Sequence, residues 1–153
     1  MKAAYLYNFV KFSEWPADAG APDIPLTLCV LGDDAVQIQL EQAVKGHKVG
    51  GHPLNVIRIS IDGALRSCHI LYVTGLDRRR SMQLIALVKD APVFTVSDFD
   101  AFATLGGVSQ LFVENGKLRF AINPASAQRA RLRLSSKLLA LAKLVKDEND
   151  ASQ

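Results

Sequence analysis

Three short apolar runs constrain this chain more than any other feature: Leu26-Thr-Leu-Cys-Val-Leu31, Cys68 to Thr74, and Val93 to Val96. Each is nearly continuous, which suits a strand covered on both faces. The first ends at Gly32, and Asp33-Asp34 then fit a helix start, where carboxylates are favoured. That helix is expected to reach about Lys45 on Val36, Leu40 and Val44, with Gly46 as its stop. A second helix is expected over Arg79 to Lys89 on Met82, Ile85, Leu87 and Val88. Strands alternating with helices imply an α/β fold, a mixed β-sheet with helices on its faces.

The remaining elements complete one domain. Tyr5, Phe9 and Phe12 recur at helical spacing with Leu6 and Val10, predicting an amphipathic helix over Lys2 to Trp15, stopped by Pro16. Ala17 to Pro25 reads as a loop. Lys48-Val49 and Leu54 to Ser60 read as strands around a Gly50-Gly51 turn, and Ser60 to Arg66 as a short helical turn. Asn115-Gly116 sits between Leu111 to Glu114 and Lys117 to Ile122, the signature of a C-terminal β-hairpin with a type I′ turn. Asn123-Pro124 supplies an N-cap and first helical residue. Arg129 to Ser135 alternates basic with apolar and is expected to be extended. A final helix capped by Ser135 or Ser136 should pack through Leu138, Leu141 and Val145. The domain is expected to span 1–146, with 147–153 a frayed polar tail.

Composition narrows the function classes. The 153 residues carry a formal net charge of +3, with 49% hydrophobic and 22% charged residues. No apolar run approaches the roughly 18 residues of a membrane span, so no direct membrane insertion is expected. Nucleic acid is not expected as a partner either, because basic residues are dispersed apart from Arg78-Arg79-Arg80 and the Arg129 to Arg133 alternation. The turn after the first strand holds one glycine and two carboxylates, which repel the phosphates a dinucleotide fold would cradle there. Asp33-Asp34 resembles the acidic pair of phosphoacceptor receiver domains, but the acceptor carboxylate is missing: the central strand ends in Thr74-Gly75. His47, His52 and His69 lack paired metal-ligand spacing, and adjacent Cys68 and His69 point to opposite faces of a strand. No catalytic centre, metal or cofactor is expected.

What remains is binding. Phe9, Phe12 and Trp15 invite a binding reading beside simple core packing of the first helix, and Trp15, if partly exposed, becomes an interface candidate. Asn8 and Lys11 lie near that aromatic face and could orient an anion. Arg129, Arg131 and Arg133 would project together from an extended segment, and guanidinium forks suit carboxylate or phosphate. Gly106-Gly107 should permit a tight bend or close backbone approach. Cys29 and Cys68 are the only cysteines. In a cytosolic chain they would be buried hydrophobes, and in an exported one a disulfide.

Several motifs, in order, carry a resemblance. Lys2-Ala-Ala-Tyr-Leu-Tyr-Asn-Phe-Val-Lys-Phe-Ser-Glu-Trp-Pro16, Leu28-Cys-Val-Leu-Gly-Asp33, Cys68-His-Ile-Leu-Tyr-Val73, Gly106-Gly107, Leu118-Arg-Phe-Ala-Ile-Asn123 and Leu134-Ser-Ser-Lys-Leu-Leu-Ala-Leu-Ala142 together resemble the YfiR-like (DUF4154) family over almost the whole chain. The resemblance implies a periplasmic, non-enzymatic signalling regulator, with a leader preceding Lys2 in the precursor. It implies repression of a membrane-anchored diguanylate cyclase through its periplasmic part, lowering cyclic di-GMP and with it biofilm growth. It further implies sequestration by an outer-membrane lipoprotein and a homodimeric state. Related domains sense small molecules, which is the alternative. Cys29 and Cys68 match the family's paired positions, so the resemblance favours a bridge between them. Some members carry a second pair before the hairpin; residues 99–118 hold no cysteine, and regulation through a second bridge is called into question.

Overall fold

Local rules account for most of the observed elements. The computed structural model describes residues 1–17, 19, 21 and 23–148. In chain order it runs α1 (Lys2–Lys11), β1 (Ser13–Glu14), β2 (Leu26–Leu31), α2 (Asp34–Val44), β3 (Lys48–Val49), β4 (His52–Arg58), a 3-10 turn (Leu65–Ser67), β5 (Ile70–Val73) and α3 (Arg78–Leu87). It continues through β6 (Phe94–Ser97), β7 (Ser109–Glu114), β8 (Lys117–Ile122), α4 (Pro124–Arg129), β9 (Arg133–Leu134), α5 (Ser136–Leu141) and β10 (Lys143–Leu144). Asp33, Asp77 and Asn123 each cap a helix through a side-chain oxygen, which accepts from the N–H of Val36, Arg80 and Ser126 respectively. Such caps satisfy amides that a helix start leaves unpaired. Asn115 and Gly116 take φ of 53° and 76°, the left-handed pair that a type I′ hairpin turn requires.

The main sheet has the order β10-β8-β7-β6-β5-β2-β4-β3. Five neighbouring strands, β4, β2, β5, β6 and β7, are parallel. The flanking β8 and β3 run antiparallel to their neighbours, and β10 adds parallel to β8. Numbered along the chain, the parallel strands stand in the order 2-1-3-4-5, a doubly wound arrangement. The direction of winding changes between β2 and β5.

Side-chain alternation divides the core in two. Leu26, Leu28 and Val30 of β2, Ile70 and Tyr72 of β5, and Phe94 and Val96 of β6 face one layer built from α1, α2, α4 and α5. Phe9 is its centre, stacked on Phe94 at 5.1 Å and edge-on to Phe120 at 5.1 Å. On the other face Cys29, Leu71 and Val73 meet Leu84 of α3 and Val88 just after it, together with Leu65, Cys68 and Phe102. Cys29 and Cys68 form a disulfide there, with Cα atoms 5.9 Å apart.

Three sequence expectations need correction. The first helix stops at Lys11, not Trp15, because Ser13 and Glu14 pair with Leu134 and Arg133 in a two-stranded ribbon. The stretch from Arg129 to Ser135 is not one extended segment. Arg129 closes α4, Arg131 takes φ 60°, and only Arg133 and Leu134 are strand. The last helix ends at Leu141, which is exposed, and the chain then adds β10 beside β8, with Val145 N–H donating to the Ile122 carbonyl. The polar tail expected from residue 147 lies partly outside the described residues. Asp147 and Glu148 are docked on the domain, through Arg129 and Arg78.

Candidate functional site

The residues singled out from sequence fall into two neighbourhoods, built where chain segments distant in sequence meet. The first surrounds the β1–β9 ribbon. The Phe12 carbonyl accepts from Ser135 N–H at 2.8 Å, tying the end of α1 to the start of α5. Phe12 itself is half-buried against the aromatic core. Asn8 is exposed one turn earlier, and its carbonyl accepts from Phe12 N–H. Lys11 is exposed, with its ammonium 5.4 Å from the Tyr7 ring centroid and 5.8 Å from that of Phe12. The Cα of Arg133 pairs across the ribbon with that of Glu14. Phe12 thus stands with Leu134 and Ser135 at one end of the two-residue ribbon, and Arg133 with Glu14 at the other.

Trp15 follows the ribbon and acts as a clamp. Its indole N–H donates to the His69 carbonyl at 3.1 Å, and its ring meets the His69 imidazole edge-on at 5.7 Å. His69 is buried, and both ring nitrogens are used. Nδ1 accepts from Thr27 N–H at 3.0 Å, so the proton sits on Nε2, which donates to the Ala19 carbonyl. That pattern fits neutral imidazole only. Burial pushes the His69 pKa below the ordinary histidine value; the Ala19 hydrogen bond offsets part of this, and nearby His52 lowers it further. His52 Nδ1 lies 2.8 Å from the Ile24 carbonyl, so two histidines hold the loop before β2. No spacing in the sequence signalled this clamp.

The three arginines separate. Arg129 grips both carboxylate oxygens of Asp147, at 2.9 and 3.1 Å, and the Ser126 hydroxyl. Asp147 also accepts from the Asn123 side-chain amide at 2.7 Å. The Arg129 hydrogen bond holds the Asp147 carboxyl below the usual carboxylate range against partial burial, with Asn123 adding to the effect. Arg129 is therefore occupied in fastening residues 143–148 to the body. Arg131 and Arg133 instead line one 300 Å³ hollow, with Leu132, Leu134 and Leu139 among its apolar walls. Sequence reasoning placed all three on one face; the left-handed turn at Arg131 redirects the chain between them.

A larger hollow, about 1330 Å³, went unnoticed in the sequence. It opens on the sulfur-bearing face, between α3 and the segment that joins β4 to β5. Its only readable trace was the brevity of that connection. Among the described residues no three His, Cys, Asp or Glu side chains gather as a metal-holding group, and no helix is long and apolar enough to cross a membrane. The arrangement offers surfaces and hollows for recognition: an aromatic and basic ribbon, a small arginine-lined hollow, and a broad groove. No curated protein matches the chain. The family model described as YfiR/HmsC-like matches residues 1–143 of the 153, and the chain belongs to the DUF4154 family.

Proposed function

We propose that this chain is a non-catalytic periplasmic regulator that binds the periplasmic part of a membrane-anchored diguanylate cyclase and represses it. Family membership across residues 1–143 is the observation that carries the reading. The disulfide supports the compartment, since such bridges persist in oxidising environments. The contact surface in this reading is the β1–β9 ribbon along its length with the hollow beside it: Asn8, Lys11 and Phe12 toward one end, Arg133 at the other, joined by Arg131. Trp15 contributes by holding the Glu14–Arg133 end of the ribbon in place. Arg129 contributes by anchoring the segment that follows α5. The basic groups would meet acidic groups of the cyclase, while Phe12 and Leu134 supply apolar area.

The chain would act as a homodimer, and an outer-membrane lipoprotein would relieve repression by capturing it. Mass in solution under oxidising conditions tests the first point; a monomer at every concentration rejects it.

The central test uses the oxidised chain against immobilised periplasmic regions of diguanylate cyclases from its source. One of them should bind with a dissociation constant of about 1 μM or tighter, within the range of interfaces of ordinary size. Co-expression with that cyclase should lower cellular cyclic di-GMP. Joint Arg131→Ala and Arg133→Ala substitution should weaken binding about tenfold, a loss of about 1.4 kcal/mol. Absence of binding to every cyclase region would remove the proposal.

A further inference from the structure

The winding of the sheet changes direction between β2 and β5, and open parallel sheets bind ligands outside the carboxyl ends of their strands at such a point. The 1330 Å³ hollow lies there. Its walls come from Leu31 at the end of β2 with Gly32 after it, residues 58–67 from the end of β4 onward, and residues among 76–87 after β5. A parallel crossover normally carries a helix. Between β4 and β5 the helix has shrunk to the single 3-10 turn Leu65–Ser67, and the space it would fill is left open beside α3.

The walls are held from both ends. Cys68 fastens the short turn to β2 through Cys29. Arg66 reaches across to the carbonyls of Leu87 at 3.4 Å and Lys89 at 2.8 Å, fixing the same turn to the end of α3. A recess framed this way is preorganised, so a ligand would lose little affinity to ordering it.

The lining has two characters. Leu31, Ile59, Ile61, Leu65, Leu76 and Leu87 make an apolar floor. Around it stand Arg58, Arg66 and Arg80 against Asp34 and Asp62. Arg58 is paired with Asp34 at 3.0 Å, and Arg66 is occupied by the helix carbonyls. Arg80 is exposed and has no carboxylate partner among the described residues. Three guanidiniums against two carboxylates leave a surplus of one positive charge. A polyphosphate would meet Asp34 and Asp62 as well, so the balance suits a single negative charge on an apolar body.

We propose that this hollow binds a small amphipathic organic monoanion, a carboxylate or sulfonate on an aromatic or aliphatic frame. Arg80 holds the anionic group, and the frame lies on Ile59, Ile61 and Leu76. The site is separate from the ribbon and does not depend on the cyclase reading, because binding is measured on the chain alone.

The test compares 1-naphthoate with 1-naphthylmethylamine, which share a ring system and carry opposite charge, by calorimetry and amide chemical-shift mapping on the oxidised chain. Naphthoate should bind one molecule per chain at sub-millimolar dissociation constant, a strength reasonable for so small a ligand, and the amine should bind far more weakly. Shifts should cluster at residues 31–32, 58–67 and 76–87. Arg80→Ala should weaken naphthoate about fivefold, the scale of one exposed charge pair, Arg80→Lys should restore part of it, and Arg131→Ala should leave it unchanged. Equal binding of both probes, shifts confined to the 124–139 hollow, or no naphthoate binding at all would each overturn the proposal.

Discussion

The two faces of the sheet are covered in opposite ways. One is fully clothed: α1, α2, α4 and α5 bury Phe9, Phe94 and Phe120 in an aromatic core. The other carries a single long helix, α3, and a disulfide. Neither the β4–β5 nor the β6–β7 connection supplies a full helix there. Hollows of about 1330 and 310 Å³ flank α3 as a result, the first along Arg80, Gln83 and Leu87 and the second along Met82, Ile85 and Ala86. One face is stabilised by burial of apolar area, and the other by a covalent link where helix packing is missing. The 1330 Å³ hollow lies on the face with fewer helices.

The sharpest test of this contrast removes the centre of each face. Phe9→Ala should cost about 3–5 kcal/mol, the range for deleting a fully buried ring, because Phe94 and Phe120 cannot both close on the gap. Replacing Cys29 and Cys68 with alanine should cost about 4 kcal/mol for a 39-residue separation in the chain-entropy view. Denaturant unfolding measures both. Groups on opposite sides of the sheet share no partner, so the losses should add; strong coupling between them would break the two-face picture.

A smaller effect belongs to the β6–β7 connection. An added Cβ at Gly107 would run into the buried Phe102 ring, which fills the sulfur-bearing face where a helix is absent. Gly107→Val should therefore cost about 1–3 kcal/mol, the range for overpacking, and the same substitution should cost less when made in a Phe102→Leu chain. An equal cost in both backgrounds would show that backbone geometry, not ring contact, sets the need for glycine.

These regions also differ in how well they could be read beforehand. The parallel strands, the Asn115-Gly116 hairpin and the caps at Asp33 and Asn123 depend on neighbours a few residues away, so local pattern sufficed. The early end of α1 depends on Arg133-Leu134, more than a hundred residues later, and had no local sign beyond Pro16. The arginine alternation misled because it matches strand periodicity while Arg131 turns left-handed. Lys143-Leu144 are strand only because β8 offers them a free edge. Among the candidate residues, Lys11, Phe12 and Arg133 were anticipated as chemistry, but not the ribbon that sets the first two and Arg133 toward its opposite ends. The large hollow is formed by helices that are missing, and an absence of that kind carries no periodic signal.

The smallest predicted effect lies where the two faces meet, at His69 just before β5. Its imidazole is neutral when folded, accepting from Thr27 and donating to Ala19. Burial is the main cause that keeps its folded pKa below the unfolded value of about 6.5. Above that value neither state holds the extra proton, and the contribution to stability is complete. As pH falls below it, the unfolded chain takes up a proton that the folded chain refuses, so stability declines until the folded pKa is reached. One proton sets the ceiling at about 1.4 kcal/mol per pH unit. Asp147, with its folded pKa lowered chiefly by Arg129, contributes a further loss only in the lower carboxylate range, so the two steps separate on the pH axis. Melting temperature followed from pH 7 downward should fall first in the histidine range, and His69→Gln should flatten that first step while leaving the acidic one. An unchanged first step in His69→Gln would leave the clamp around Trp15 without a role in pH response.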